Sequence, residues 1–188
     1  MSRPQQRPVS GQDGIGPASD KCPRPGPGGV TVTGMGLDDV DQVIDIERRV
    51  YPSPWSARAF YGEITENMVA CYIVARFGPR VAGYAGMWVL LDEAHITNIA
   101  VHPDFQRCGI GSRLLEELMD RAYQRGARRM TLEVRPSNHG ALGLYRRYAF
   151  VRRGLRRGYY SDTHEDAILM WKDDISPRGR RPLSRDAE

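Results

Sequence analysis

The sequence predicts a mixed α/β domain. Strand-like β-branched runs alternate with stretches whose apolar residues recur at helical spacing, and a glycine-containing loop joins one such strand to an amphipathic helix. The length of 188 residues suits one domain. Residues 1–29 hold six prolines and six glycines and almost no large apolar side chain. We therefore expect a disordered tail at 1–29, a domain at 30–174 and a second disordered, basic tail at 175–188.

The elements of this domain are predicted from local signals. Strands follow from alternating or β-branched runs, helix starts from Ser, Asp or Asn before an apolar-periodic stretch, and element ends from proline and glycine. A turn at Gly78-Pro79 between two apolar runs predicts a hairpin. In order, the elements are a strand at 30–33, a helix capped by Asp38 or Asp39 that ends before Pro52, a short helix capped by Ser56 that runs to Ile64, hairpin strands at 70–76 and 81–91, a strand at 95–101, a helix at 112–125, a strand at 130–135, a short helix from Asn138, and strands at 150–156 and 167–172.

The loop at 106–111, Gln-Arg-Cys-Gly-Ile-Gly, is the most informative stretch of the chain. It opens the helix at 112–125, where the first backbone N–H groups have no intrahelical partner and the helix dipole is positive, so it suits an anion such as phosphate. A Cβ at Gly109 or Gly111 would hold the backbone away from a ligand or forbid a left-handed turn. Arg107 or Arg113 would add positive charge if either points inward. The alternative is an ordinary strand-to-helix turn.

Charge and composition argue against several classes of function. The net charge is +4, but residues 1–29 carry four basic and two acidic side chains and residues 173–188 carry four of each, which leaves +2 for the rest. We expect no direct nucleic-acid binding from so weak a charge. No apolar run is as long as a membrane span, and the N-terminus lacks the apolar core of a secretory signal.

The cysteines and histidines show no metal-binding spacing. Three cysteines lie far apart and fit neither a zinc site nor a disulfide framework, which indicates a reducing compartment. The four histidines also lack ligand spacing, so no metal is expected. Cys108 lies at a helix start, where thiols can become reactive, but an inert small side chain is the favoured interpretation because no histidine accompanies it in the motif.

The order of these motifs resembles the GNAT superfamily of acetyl-CoA-dependent N-acetyltransferases. The shared order is a strand, a Gln/Arg-x-x-Gly-x-Gly loop, a helix, a strand, Asn, and a helix that contains Tyr. Residues 98–101, 132–138, 141–145 and 158–160 resemble the ribosomal-protein-alanine N-acetyltransferase branch. The resemblance covers about residues 30–171. It implies a mixed, mostly antiparallel sheet that is splayed at the acetyl-CoA site and flanked by helices.

Glu133 and Tyr145 are the expected catalytic residues. A carboxylate in mid-strand is unfavourable unless its face is wet or it has a task. The resemblance implies that Glu133 accepts the amine proton through water, and a pKa raised modestly by burial would suit an α-amine. The alternative for Glu133 is a solvated edge or a salt bridge to Arg135 or Arg128. The resemblance implies that Tyr145 protonates the leaving thiolate, whereas its alternative is a core aromatic, as expected for Tyr148.

The resemblance also implies binding roles. The backbone of the motif strand would pair with the pantetheine arm of the coenzyme, and one N–H would polarise the thioester carbonyl. Asn138 would contact the same arm, or cap its helix, or do both. A packed loop is the alternative for the acceptor side, and Glu47 and Asp92-Glu93 are weaker candidates for a cationic substrate. The expected coenzyme-binding residues are Ile99, Ala100, Val101, Arg107, Cys108, Gly109, Ile110, Gly111, Ser112 and Asn138, and the expected acceptor-binding residues are Trp55, Tyr159 and Tyr160.

The function implied is acetyl transfer from acetyl-CoA to the N-terminal α-amino group of a protein, such as a ribosomal protein that starts with Ala or Ser. A small amine acceptor, such as a polyamine or an aminoglycoside, is the alternative on the same fold. A non-catalytic acyl-CoA-binding subunit is the alternative of another class, and the presence of Glu133 and Tyr145 argues against it. We expect a cytoplasmic monomer or weak dimer, with no metal, no membrane segment and no nucleic-acid partner.

Overall fold

The computed structural model describes residues 29–177, so most of the tails expected at 1–29 and 175–188 lies outside the described residues. The strands are β1 (Val30–Gly34), β2 (Ala70–Phe77), β3 (Arg80–Leu90), β4 (Glu93–Val101), β5 (Arg129–Val134), β6 (Val151–Tyr160) and β7 (Glu165–Lys172). The helices are α1 (Val40–Val50), α2 (Ala57–Thr65), α3 (Ile110–Gln124) and α4 (His139–Arg147). The strands form one sheet in the order β1-β2-β3-β4-β5-β7-β6, in which only β4 and β5 pair in parallel. The expected mixed, mostly antiparallel sheet is confirmed.

Two hydrophobic clusters cover the sheet. The larger one packs the apolar stripe of α3, including Leu114, Leu118 and Met119, with Met87 of β3 and Leu132 of β5. The smaller one packs α1 and α2 with side chains of β2 and β3. The stripe predicted for α3 from helical spacing is therefore core, and the two helices before β2 lie in a different cluster from α3.

The sheet opens between β4 and β5. Their pairing runs only from Glu93 opposite Arg129 to Ile96 opposite Leu132, although β4 continues to Val101 and β5 to Val134. At the end of this pairing β4 carries one extra residue, Thr97, because its neighbours Ile96 and Asn98 face consecutive residues of β3. Such a bulge bends its strand. Beyond it, the two strands diverge and leave a gap with unpaired backbone on the β4 side.

Two predicted helix caps are present in the structure, and one strand is longer than predicted. Ser56 accepts from Ala59 N at 3.2 Å and Asn138 Oδ1 accepts from Ala141 N at 3.1 Å, as expected of caps. β6 continues to Tyr160, past the predicted end at Arg156.

The start of α1 differs from the prediction. One turn of 3₁₀ helix, Leu37–Asp39, precedes it, and no cap hydrogen bond comes from the Asp39 side chain. Asp39 is buried, and its carboxylate instead accepts from Gly36 N and pairs with Arg76 of β2. A buried carboxylate is costly without a cation, so the ion pair takes precedence over capping.

The packed chain extends past β7. Ile175 is fully buried, and its N–H donates to Arg128 O at 3.1 Å.

Candidate active site

The loop before α3 passes through two left-handed residues. Arg107 has φ 65° and Gly109, the residue that precedes α3, has φ 77°. No side chain caps the first amides of α3, so these amides and the positive helix end suit an anionic ligand. At Gly111 a Cβ would lie 3.4 Å from Leu144 Cδ2. The first glycine thus permits the turn, and the second permits close packing of α3 against α4.

Of the two arginines considered for this loop, Arg113 is held elsewhere. Arg113 Nη1 donates to Val30 O of β1 at 3.0 Å, so its guanidinium is held away from the loop. Arg147 of α4, which the sequence analysis did not single out, donates from Nη2 to Ser112 Oγ at 3.4 Å. Cys71 is a buried free thiol.

The C-terminal half of β4 presents backbone groups to the gap. His102 N–H donates to a β3 carbonyl at 2.9 Å. Because successive strand residues direct their N–H and C=O groups to opposite edges, Ala100 also faces β3, whereas Ile99 and Val101 face the gap. The Ile99 carbonyl accepts from Tyr51 Oη at 3.0 Å. The N–H groups of Ile99 and Val101 are therefore the donors that this edge offers to a ligand.

Glu133 lies at the gap and contacts two side chains from other strands. Its Oε2 is 2.6 Å from His95 Nε2 of β4, and its side chain is only 5% exposed. Arg156 Nη2 of β6 lies 3.1 Å from Oε1, but the pair lacks hydrogen-bond geometry, and Oε1 is buried with no hydrogen-bond partner among the described residues. The salt bridges considered from the sequence, to Arg135 or Arg128, do not form, because Arg135 binds residues 162–165 and Arg128 binds carbonyls near the end of α3.

The pKa of Glu133 is lowered from its ordinary value. Burial raises this pKa, but the hydrogen bond and charge of His95 and the charge of Arg156 outweigh it. The expected raised pKa is therefore wrong: the sequence indicated burial of Glu133 but not its partners His95 and Arg156. Glu133 is ionised at neutral pH. His95 is 33% exposed, and an imidazole can both take and give a proton, so the pair connects the gap with solvent.

Tyr145 is buried in α4. Its ring packs 5.7 Å from that of Phe150, and it belongs to the larger hydrophobic cluster. Burial, with a smaller contribution from the charge of Tyr160, raises the pKa of Tyr145. The phenol is therefore protonated at neutral pH. Tyr148 is buried as expected of a core aromatic, and its hydroxyl donates to Glu116.

Tyr160 joins the two candidate catalytic residues electrostatically. Besides burial, the charge of Glu133 raises the pKa of both Tyr159 and Tyr160, and the charge of Tyr160 raises the pKa of Tyr145 and Tyr51. The Tyr159 and Tyr160 rings lie edge to face at 5.1 Å. Tyr160 therefore interacts electrostatically with Glu133, Tyr145 and Tyr51, the last of which the sequence analysis missed.

Trp55 lies in the loop before α2 and packs against a residue of that helix. Its ring packs 5.5 Å from Phe60, and it lines a cleft of about 620 Å³ along α2 with Ser56, Arg58, Ala59, Gly62 and Glu63. None of these lining residues belongs to the loop before α3 or to the Glu133 cluster. The structure thus does not bring Trp55 together with Glu133 or with the loop before α3.

The weaker candidates serve other contacts. Glu47 is 1% exposed and accepts from Trp55 N at 2.7 Å and from the Tyr84 hydroxyl. Burial raises its pKa to about 7, although the Trp55 N–H opposes the shift. Asp92 and Glu93 pair with Arg129 at 3.5 and 2.8 Å at the surface. These acids hold the structure together and are not gathered around Glu133.

No group of His, Cys, Asp or Glu within residues 29–177 is arranged to hold a metal ion. Over the same part of the chain, every helix is too short or too polar to cross a membrane.

A split sheet, a helix start whose first amides no side chain caps and a carboxylate beside the gap form the arrangement expected of an acyltransferase. A family model described as the acetyltransferase (GNAT) family matches residues 40–150. A relative from Salmonella typhimurium, named [Ribosomal protein bS18]-alanine N-acetyltransferase, is 41% identical over 142 residues, which cover 74% of this chain and 95% of that protein. The chain belongs to the GNAT acetyltransferase family, and the predicted enzyme class is confirmed.

Solved structures share the fold. The crystal structure of the ribosomal-protein-S18-alanine N-acetyltransferase from Escherichia coli has a TM-score of 0.70 and 33% identity, and the match covers 85% of this chain and 99% of that one. The crystal structure of Arabidopsis thaliana NAA60 in complex with acetyl-CoA has a TM-score of 0.69 at 17% identity, with 76% and 97% covered. At that identity the second likeness concerns the fold alone.

Proposed function

We propose that this enzyme transfers the acetyl group of acetyl-CoA to the N-terminal α-amino group of a protein in the cytoplasm, with a ribosomal protein that begins with Ala or Ser as the candidate acceptor. The observation that carries the proposal is the ionised Glu133, paired with His95, beside the gap that opens between β4 and β5. The names of the Salmonella and Escherichia coli proteins support a protein N-terminus as acceptor.

The loop before α3 and the open edge of β4 fit acetyl-CoA. The uncapped amides at the start of α3 suit its phosphates, and Arg147 adds a positive charge beside Ser112. The N–H groups of Ile99 and Val101 suit the amide carbonyls of the pantetheine arm, in the manner of an added strand. Asn138 caps α4 through Oδ1, so its side-chain NH₂ remains the donor for the same arm.

The chemistry required is attack by a neutral amine on the thioester carbonyl. The N–C bond forms, the C–S bond breaks, and the amine loses one proton while the thiolate gains one. A terminal α-amine has a pKa near 8, so roughly one molecule in ten is neutral at pH 7, whereas a lysine side chain has a pKa of about 10.4. An α-amine therefore needs little basicity from the enzyme, which suits a carboxylate whose pKa is low.

Two proton routes follow from the geometry. Glu133 accepts the amine proton through water, and His95, hydrogen-bonded to it and partly exposed, passes the proton to solvent. Tyr145, kept protonated by its burial, supplies the proton to the departing thiolate. A backbone N–H of the β4 edge polarises the thioester carbonyl.

The test compares acceptors under identical conditions. An Ala- or Ser-initiated peptide is assayed against a twin that is blocked at its N-terminus and contains lysine, and against spermidine and an aminoglycoside panel. We expect acetylation of the free N-terminus to be fastest, measured by mass spectrometry with the site of the added acetyl group assigned by fragmentation. Faster acetylation of the blocked peptide or of a small amine would refute the proposed acceptor.

A further inference from the structure

Arg135 is half-buried, and its side chain binds a single segment of the chain. It follows β5 directly, and its side chain is 19% exposed. Nη2 donates to both carboxylate oxygens of Asp162 at 2.8 Å, and Nη1 donates to Thr163 Oγ1 at 2.6 Å and to Glu165 Oε2 at 3.3 Å. The guanidinium carbon also lies 3.7 Å from the ring centroid of Tyr160. All these partners lie in residues 160–165, the hairpin turn that joins β6 to β7.

The hairpin turn has little support from the strand ladder. The register between β6 and β7 is broken from Arg156 to Tyr160, and pairing resumes only at Tyr160 opposite Glu165. His164 in the turn has φ 55°, a conformation that side chains other than glycine seldom adopt. One backbone hydrogen bond, from Thr163 N to Tyr160 O at 3.3 Å, closes the turn. Side chains supply further support, as in the bond from Ser137 N to Glu165 Oε1 at 3.0 Å. Where a ladder is interrupted, a multidentate side chain such as Arg135 fixes the backbone in its place.

The hairpin turn also meets the other segment on the acceptor face. Ser53, in the α1–α2 loop (residues 51–56), lies 3.5 Å from Asp162 Oδ2 through its hydroxyl oxygen. Tyr160, whose ring stacks on Arg135, interacts electrostatically with Tyr145, Tyr51 and Glu133. A shift of the hairpin turn would therefore move Tyr160 away from Tyr145, Tyr51 and Glu133.

We propose that Arg135 is a positioning residue for the acceptor: it fixes the hairpin turn and the Tyr160 ring, so that the acceptor face is formed before the amine binds. This inference rests on the proposed function, because it takes the β6–β7 hairpin as one wall of the acceptor site. A guanidinium is required, since one planar fork contacts Asp162, Thr163 and Glu165 while its face covers an aromatic ring. A lysine would keep the charge but could not make these contacts together.

The experiment uses Arg135→Gln, Arg135→Lys and the matched control Arg129→Gln. Arg129 begins the same strand and pairs with acids at the opposite end of it, away from the hairpin turn. We expect Arg135→Gln to raise the KM for an Ala-initiated peptide about tenfold or more, as the loss of one charge-assisted hydrogen bond would. Acetyl-CoA affinity, measured by calorimetry, should stay within about twofold, because the coenzyme loop is not touched. Arg135→Lys should recover part of the loss.

Hydrogen exchange separates this proposal from the identity of the acceptor. Amides at 158–165 should exchange faster in Arg135→Gln than in the parent or in Arg129→Gln. If Arg135→Gln does not fold, Asp162→Asn takes its place, because it removes one of the two carboxylate oxygens that Arg135 contacts. The same changes in peptide KM and in hydrogen exchange at 158–165 are then expected. Unchanged exchange in the turn, an unchanged peptide KM, or an equal loss of peptide and coenzyme binding would each overturn the positioning role. A parent enzyme that acetylates no α-amine would refute the proposed function, and the exchange data would still decide whether Arg135 holds the turn.

Discussion

Glu47 permits a quantitative test of how the α1–α2 loop is held. Its carboxylate is buried, and its two hydrogen-bond donors, Trp55 N–H and the Tyr84 hydroxyl, are both neutral. Burial therefore raises its pKa from 4.5 to about 7. At about 1.4 kcal/mol per pKa unit, the ionised form is disfavoured in the folded protein by roughly 3 kcal/mol.

The sign of the pH effect follows from this shift. The pKa of Glu47 is higher in the folded protein than in the unfolded chain. The contribution of Glu47 to the unfolding free energy is therefore fully present below about pH 4.5 and is lost as the pH rises through 7. Between pH 5 and pH 8 this residue should cost the parent about 2.5 kcal/mol of unfolding free energy. In Glu47→Gln the amide oxygen can accept from Trp55 N–H and the amide nitrogen can donate to the Tyr84 oxygen. The variant should keep both contacts and lose the pH dependence.

Urea unfolding at pH 5, 6, 7 and 8 measures the difference. The parent, Glu47→Gln and the control Glu66→Gln are compared at each pH, and the exposed Glu66 corrects for the loss of one negative charge. Subtraction removes the contribution of the histidines, which all three proteins share. If the unfolding free energies of the parent and Glu47→Gln change with pH in parallel, the reasoning is refuted. A loss of stability toward pH 8 in the parent, relative to Glu47→Gln, supports it.

Further predictions concern the reaction and its coenzyme. Glu133→Gln should lower kcat by about 10²–10⁴-fold with acetyl-CoA affinity unchanged; steady-state kinetics within a few-fold of the parent at every pH would exclude Glu133 as the base. Tyr145→Phe should lower kcat because the thiolate would leave without its donor, and normal turnover would make Tyr145 a core aromatic only. Gly109→Ala places a Cβ at φ 77°, a strain of about 1–2 kcal/mol, and should weaken coenzyme binding in calorimetry. Gly62→Ala, in open space in α2, should bind the coenzyme normally and gain about 0.5–1 kcal/mol of stability; equal coenzyme affinities in the two glycine variants would contradict the role of the loop.

The elements of the fold could be predicted because their signals are local. Ser56 and Asn138 cap the helices that they were expected to cap, since an N-cap depends on a few successive residues. The apolar stripe of α3 required only helical spacing. Asp39 failed as a cap because its partner, Arg76, comes from a strand 37 residues away. An aspartate at a helix start is a sound local signal for a cap, but here the carboxylate forms a tertiary ion pair with Arg76 instead.

The chemistry of Glu133 could be predicted only in part. Its strand and the direction of its side chain followed from alternation, but its pKa depends on His95 and Arg156, which reach it from β4 and β6. β6 lies beyond β7 in the sheet, an order that the sequence analysis did not specify. One signal was available for His95: if β4 and β5 are adjacent and parallel, period-two alternation places it on the same face as Glu133.

The acceptor face differs from the coenzyme site in how it is built, and this has a consequence for specificity. The coenzyme site that we propose uses backbone groups of β4 and of the start of α3, which are fixed by the sheet and by the helix itself. The acceptor face that we propose is formed by the α1–α2 loop and the hairpin turn, which meet at Ser53 and Asp162, 109 residues apart in the sequence. Each is held by side chains: Glu47 holds the first through Trp55, and Arg135 holds the second. Substitutions in these two segments can therefore change which amine is accepted while the coenzyme site stays intact, because neither segment contributes to the loop before α3. Acceptor choice should vary among proteins of this fold more readily than coenzyme choice, and exchanging both segments between two such enzymes should transfer acceptor preference without changing the affinity for acetyl-CoA.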